Sequence, residues 1–284
     1  MSSKNGQTLL DKKRDPLHFP KVLLGLIVAL IFLFPIVWMI FVSLKPMTGA
    51  PTNPIDWFLP PYTFENYIDI IMGSDVLLWT WNSFVVGILT TILTLIITSL
   101  AAFAISKMNF PYKRSIFIFF LAGLMVPGEA MIIPLFEIVG TMNMLDTYGG
   151  LIFPMIASPL GVIILKSFFD GVPDELIESA RVDGCTDWRL YWNIVLPLAK
   201  PAMAAIGILT FIGSWNNFLW PFLAIVSENL YTLPVGIPMF NSAYSDTFIQ
   251  PMTVNAVASL PVIIAFLLFE KQIVKGVSFT GIKG

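Results

Sequence analysis

Glu178-Ser179-Ala180-Arg181-Val182-Asp183-Gly184, with Ile194-Val195-Leu196-Pro197 following after a gap of nine residues, is the stretch that orders the rest of the chain. It lies in a polar island of about thirty residues between two apolar segments, each long enough to cross a bilayer. Charged side chains are costly at the bilayer centre, so the island belongs outside the membrane. Its regular spacing suggests a docking surface.

Composition sets the frame around that island. Of 284 residues, 56% are hydrophobic and 12% charged, where a typical soluble domain has about 25% charged, and mean hydropathy is +0.81. Such a chain cannot cover its apolar surface in water, and an all-α integral membrane protein is expected. A hydrocarbon core of about 30 Å takes about 20 apolar residues per helix. Six stretches qualify as spans: 22–43, 77–106, 115–139, 151–168, 202–226 and 251–269. Lys12, Lys13 and Arg14 precede the first, as in a signal peptide, but its apolar run is too long and no small-residue cleavage site closes it. Residues 1–20 read as a polar tail and 21–284 as one transmembrane unit without internal repeats.

Cytoplasmic loops carry an excess of Lys and Arg. Alternating the six spans places fifteen of the sixteen basic residues on one side, with Lys45 alone opposite. Both termini and the island are therefore expected in the cytoplasm. One cysteine, Cys185, and one histidine, His18, exclude an intrachain disulfide and a Cys/His zinc cluster. No metal site and no nucleic-acid partner are expected.

Local signals refine this layout. In the 44–76 loop, Thr63 is placed to cap a short helix through Glu65-Asn66-Tyr67. Trp57, Trp79 and Trp81 fall where an interfacial aromatic belt would lie. Pro127-Gly128 and Pro134, then Gly213 and Trp220-Pro221, then Pro261 disturb the third, fifth and sixth spans. Bent helices of this kind either pack around a bundle or line a path that opens and closes.

The island itself reads as a helix–turn–helix elbow across the membrane surface. Pro173 suits a first helical turn, and Asp174 and Glu175 put negative charge at the positive end of the helix dipole. Gly184 is suited to the left-handed residue that ends such a helix. Leu176, Ile177, Ala180 and Val182 supply apolar contacts, with Glu178, Arg181 and Asp183 on the polar side. A second helix starts near Thr186-Asp187 and runs towards Pro197. Interfacial helices favour Lys and Arg on the polar face, whereas residues 170–187 hold six acids and the single base Arg181. A basic groove on a protein partner explains that better than lipid.

Glu178-Ser179-Ala180-x3-Gly184-x9-Ile194-x-Leu196-Pro197 resembles the E-A-A-x3-G-x9-I-x-L-P loop of permease subunits in bacterial ABC importers, with Ser179 replacing the first Ala. Pro60-Pro61 with Thr63-Phe64-Glu65-Asn66-Tyr67, Ile133-Pro134-Leu135-Phe136, Trp215-Asn216-Asn217-Phe218 with Trp220-Pro221, and the Lys275-Gly276…Lys283-Gly284 tail resemble carbohydrate importers of the maltose type, in particular the shorter of their two paired permeases. The resemblance implies a multi-pass subunit of a bacterial cytoplasmic membrane. Its partners would be a second permease, two ATP-binding cassette subunits holding ATP and Mg, and an extracellular solute-binding protein that delivers a sugar. The loop would be a coupling helix seated in a cleft of the ATPase, through Glu178, Ser179, Ala180, Asp183, Gly184, Ile194, Leu196 and Pro197. Glu178 would accept from a basic residue of the ATPase, Ala180 would allow close packing, and Gly184 would set the turn.

The chain has no phosphate loop of its own. Gly123 and Gly128 have the glycine spacing, but Glu129-Ala130 follow where Lys and Ser/Thr are needed. With no nucleophile–base set either, this subunit is expected to bind no cofactor and catalyse nothing. Polar groups inside the spans are the pathway candidates: Trp215, Asn216 and Asn217, then Asn255 and Ser259 one turn apart, and Glu129. Amides hydrogen-bond sugar hydroxyls and an indole stacks on a pyranose face, but such amides also serve helix packing. Glu129 and Glu137 lie either in the third span or, if Pro127-Gly128 ends the helix, at its wet outer boundary. A competing function arises from the first placement: an ion-coupled secondary transporter using Glu129 or Glu137. That reading leaves the acidic elbow unexplained.

Overall fold

The computed structural model describes residues 18–47, 53–240 and 248–280. Most of the N-terminal tail, Asp246 and Lys283-Gly284 lie outside the described residues.

Helix α1 spans His18–Ser43 and is continuous through Pro35. The chain then forms α2, Glu65–Gly73, whose N-cap position is Phe64 rather than the expected Thr63; the Thr63 hydroxyl instead accepts from the first helical amide, that of Glu65, at 3.1 Å in a local turn. Asn66 fastens this helix to the end of α1, donating to the carbonyls of Ser43 and Lys45 at 2.8 and 2.7 Å. Lys45 is buried, donates to the Leu59 carbonyl and sits 4.9 Å over the Tyr62 ring. Helix α3, Val76–Lys107, is the central post of the molecule, against which several of the later helices pack.

Prolines account for the breaks in the next helices. Pro127 would clash with the carbonyl four residues back, and α4, Lys113–Gly123, ends at that residue. Residues Gly128–Thr141, including α5 at Ile132–Thr141, leave at 99° to α4. Pro134 is tolerated there because it occupies the first turn of α5, where amides have no intrahelical partner. The expected 151–168 span is also two pieces bent by 46°. The first begins with α6, Tyr148–Ile152, and the second is α7, Pro159–Asp170, capped by Ser158 accepting from the Gly161 amide at 3.1 Å.

The elbow is α8, Asp174–Val182, then α9, Asp187–Leu190, a wider turn over Tyr191–Val195, and α10, Leu196–Leu198. The arm Asp187–Leu198 meets α11, Lys200–Trp215, at 78°. The expected 202–226 span does not run as one helix. Pro221 excludes a hydrogen bond to residue 217, so α11 stops at Trp215 and α12, Leu219–Ala224, restarts with the Trp220 amide donating to Asn217 Oδ1 at 3.3 Å. A short α13, Leu233–Gly236, precedes the last helix α14, Ile249–Thr280, which continues through Pro261.

Among the described residues three helices are long and apolar enough to cross a membrane alone (Phe19–Ser43, Val76–Lys107 and Ile249–Leu267), and up to six spans result if each bent pair counts once. Trp79, expected in an aromatic belt, is instead core: it is buried and its indole N–H donates to the Glu228 carbonyl at 3.2 Å. Gly236 faces it so closely that a Cβ would fall 2.0 Å from the indole ring. Trp81 is exposed, as a belt residue would be.

Candidate functional site

The elbow is built by its caps. The amide of Gly184 donates to the Arg181 carbonyl at 3.0 Å and that of Cys185 to the Ala180 carbonyl at 2.9 Å. This is the paired closure that a left-handed residue permits, and Gly184 has φ +80°. Thr186 caps the second arm, accepting from the Arg189 amide at 3.4 Å. Pro173 stands one place outside α8 rather than within its first turn.

One face of the elbow belongs to the protein's own core. Ile177, Ala180, Leu190, Tyr191 and Val195 are buried with Ala102, Phe103 and Ile105 of α3 and Val162, Leu165 and Phe169 of α7. Polar ties reinforce this seat. Lys107 pairs with Asp174 at 2.7 Å and donates to the Val172 carbonyl at 2.8 Å. The Tyr191 and Ser99 hydroxyls are 2.7 Å apart, and Arg181 pairs with Asp187 at 3.1 Å. The Lys107 ammonium holds the Asp174 carboxyl below the usual carboxylate value, chiefly through that hydrogen bond.

The opposite face is open. Glu178, Ser179, Asp183 and Gly184 are exposed, and Glu178 has no ion-pair partner among the described residues. Leu176 and Val182, expected to pack inward, stand outward instead, Val182 with 87% of its surface exposed. Helical spacing explains the split: 177 and 180 share one side, while 178 and 182 share another. Ala180, at 6% exposure, packs inward rather than presenting itself to a partner. Of the distal motif, Ile194 and Leu196 are half-buried against the core and Pro197 is exposed. Lys107, Ser99 and Tyr191 escaped sequence reasoning. The signal for Lys107 was its position closing an apolar span, which many lysines share.

A second feature lies where α11 breaks. A cavity of about 350 Å³ is lined by Ile36, Trp215, Asn216, Leu233, Pro234, Ile237 and the α14 residues Asn255, Ala258, Ser259, Val262 and Ile263. Four of the pathway candidates thus converge. They are not equivalent. Trp215 is 3% exposed, its ring 4.8 Å from that of Phe84, so it contributes wall rather than a free stacking face. Asn255 and Ser259 bond back to their own helix, to the carbonyls of Pro251 and Ala256, both at 2.8 Å. The Asn216 amide is exposed and has no side-chain partner among the described residues. Asn217 is outside the cavity, occupied in capping α12. Glu129 and Glu137 are both exposed and line neither this cavity nor the second one, near Lys113.

A clip between the loop after α5 and the loop after α12 was not anticipated. Asp146 Oδ1 accepts from the amides of Val226 and Ser227, both at 2.9 Å, and Oδ2 from the Ser227 hydroxyl. These bonds lower its pKa, the Ser227 hydroxyl contributing most. Asn82 ties in the same loop by donating to the carbonyls of Asn229 and Tyr231, both at 2.9 Å.

Residues 94–279 match the model of the binding-protein-dependent transport system inner membrane component. The chain belongs to this family. Its relatives are permease proteins of solute transport systems, several of them for sugars. The arabinooligosaccharides transport system permease protein of Bacillus subtilis (strain 168) is 36% identical over 91% of this chain and 93% of its own length. The trehalose/maltose transport system permease protein of Thermococcus litoralis is 33% identical over 92% and 95%. The sn-glycerol-3-phosphate transport system permease protein of Yersinia enterocolitica is 36% identical over 70% and 72%. In structure, the chain superposes with TM-score 0.79 on a chain of a bacterial ABC transporter involved in the import of the acidic polysaccharide alginate, covering 89% and 94% at 22% identity. The maltose-type resemblance stated from sequence is thereby upheld, and the membrane-spanning character with it.

Proposed function

We propose that this chain translocates a sugar or oligosaccharide into the cytoplasm by alternating access through six spans, the fifth formed by α11 and α12 without the elbow arm. The α8–α10 elbow is the coupling element that docks on a separate ATPase. The observation that carries this reading is the two-sided elbow: one face is buried on α3 and α7, while the other presents Glu178, Asp183 and Val182 unpartnered. A lever needs both, a rigid tie to the spans and a free face for the motor. The acids of the free face call for a basic cleft, and Val182 and Leu176 add apolar contact within it. In this assembly a second permease, two ATP-binding cassette subunits and an extracellular binding protein complete the transporter. The termini and the elbow are cytoplasmic, as the basic residues imply.

The cavity at the α11 break supports a neutral, hydroxyl-rich solute. Its polar lining is amide and hydroxyl, with no cation among the described residues that line it. The ion-coupled alternative calls for an acid inside the path, a role that the exposed Glu129 and Glu137 fit poorly. The reading is tested by uptake in vesicles with Glu178→Ala. Removing one partner of a desolvated interface pair costs about 2–5 kcal/mol, so ATP-dependent uptake and ATPase recovery should both fall at unchanged expression. Uptake that is insensitive to vanadate and abolished by an ionophore would establish the ion-coupled alternative.

A further inference from the structure

A second cavity, of about 370 Å³, opens where three helices end. Its walls are Ile105 and Ser106 from the end of α3, Lys113, Arg114 and Phe117 from the start of α4, and Lys166 and Asp170 from the end of α7. It holds three cations against one carboxylate, and that carboxylate is already occupied. Asp170 Oδ2 pairs with Lys166 at 2.6 Å and Oδ1 accepts from the Ser106 hydroxyl at 2.6 Å. The neighbouring acid, Asp174, is taken by Lys107.

Positive charge therefore remains in the cavity. Lys113 is held in place by the carbonyls of Ser106 and Met108, at 3.0 and 2.9 Å, which orient its ammonium without neutralising it. Arg114 is exposed and makes no hydrogen bond or ion pair with any described residue, leaving all five guanidinium donors free. Two fixed or free cations beside a satisfied acid suit a phosphate.

The surroundings indicate which kind. Phe117, under the Lys166 ammonium at 4.7 Å, forms the apolar edge of the cavity. Leu121 and Leu124 continue the same face of the chain one and two turns further on, and both are exposed. A water-soluble anion gains nothing from that stripe, whereas a lipid has one charged end and an apolar remainder.

We propose that this cavity binds the phosphate of an anionic phospholipid headgroup between Arg114 and Lys113, with an acyl chain along Phe117, Leu121 and Leu124. Basic pockets between membrane helices take such headgroups. The site is separate from the translocation cavity and does not depend on which solute is carried.

The test uses the assembled transporter in phosphatidylcholine nanodiscs doped with rising fractions of phosphatidylglycerol, read by thermal midpoint. The wild type is expected to gain stability saturably. Arg114→Gln should shift half-saturation about five-fold to higher fractions, the loss set by one juxtamembrane cation. Arg114→Lys should restore most of it, and Lys200→Gln, an exposed cation outside the cavity, should change nothing. Equal losses in Arg114→Gln and Lys200→Gln would mean diffuse surface charge and overturn the site. An equal shift from inorganic phosphate without the anionic lipid would overturn the lipid assignment. So would a photoactivatable phosphatidylglycerol that labels a partner subunit but not residues 113–124.

Discussion

At Gly184 the conformation and the space around it can be separated. Its φ of +80° is left-handed, yet a Cβ built there meets nothing within 4 Å. Substitution thus costs backbone strain alone, roughly 1–2 kcal/mol for a side chain in this region and least for Asn. Gly184→Asn is expected to retain uptake and Gly184→Val to lose much of it, measured beside co-purification of the ATPase. Equal behaviour would show that the left-handed turn is not what glycine supplies. The adjacent amides Asn216 and Asn217 separate in the same way. Asn216→Ala should lower uptake with little change in thermal midpoint. Asn217→Ala, which removes the α12 cap, should lower stability by about 1 kcal/mol. Sequence treated the two as a pair because nothing in adjacent identical residues says which one faces the cavity.

Within the elbow, the Lys107–Asp174 pair ties α8 to the end of α3. Lys107 depresses the Asp174 pKa. A depressed carboxylate contributes stability that is fully present above its ordinary value of 3.8 and disappears as pH falls through the folded value. Amide exchange across 174–182 should therefore be faster in Asp174→Asn than in wild type from pH 5 upward, with the two converging as pH drops below that value. A gap that widens in acid would contradict the assignment. The Asp146 clip has the same sign.

Across the whole molecule, the elbow acts on the spans only if its buried face stays seated. Leu190 is fully buried in that seat. Leu190→Ala should cost about 2–5 kcal/mol through the cavity it leaves. The thermal midpoint should fall and ATPase recovery should fall with it. Glu178→Ala touches only the open face, so it should reduce ATPase recovery at an unchanged midpoint. Identical thermal behaviour in the two variants would mean that the two faces are not distinct.

Much was legible before any fold was known, because bilayer physics acts on composition. Apolar runs of span length, the charge and turn pattern at Asp174-Glu175 and Gly184, and the start of the second elbow helix near Thr186-Asp187 depend on residues near one another in the chain. The proline breaks were legible as disturbances but not as angles, since Pro127 and Pro221 forbid a hydrogen bond without dictating the 99° turn or the restart at Leu219. Only the tertiary structure decided which side of each element meets the core. It turned Ala180 inward and Val182 outward, drew Trp79 from an expected belt into the interior, and gathered Trp215, Asn216, Asn255 and Ser259 around one cavity while leaving Asn217 out. In an apolar chain the lipid-facing and protein-facing sides carry the same residue types, so hydrophobicity marks where helices lie and packing alone sets how they face.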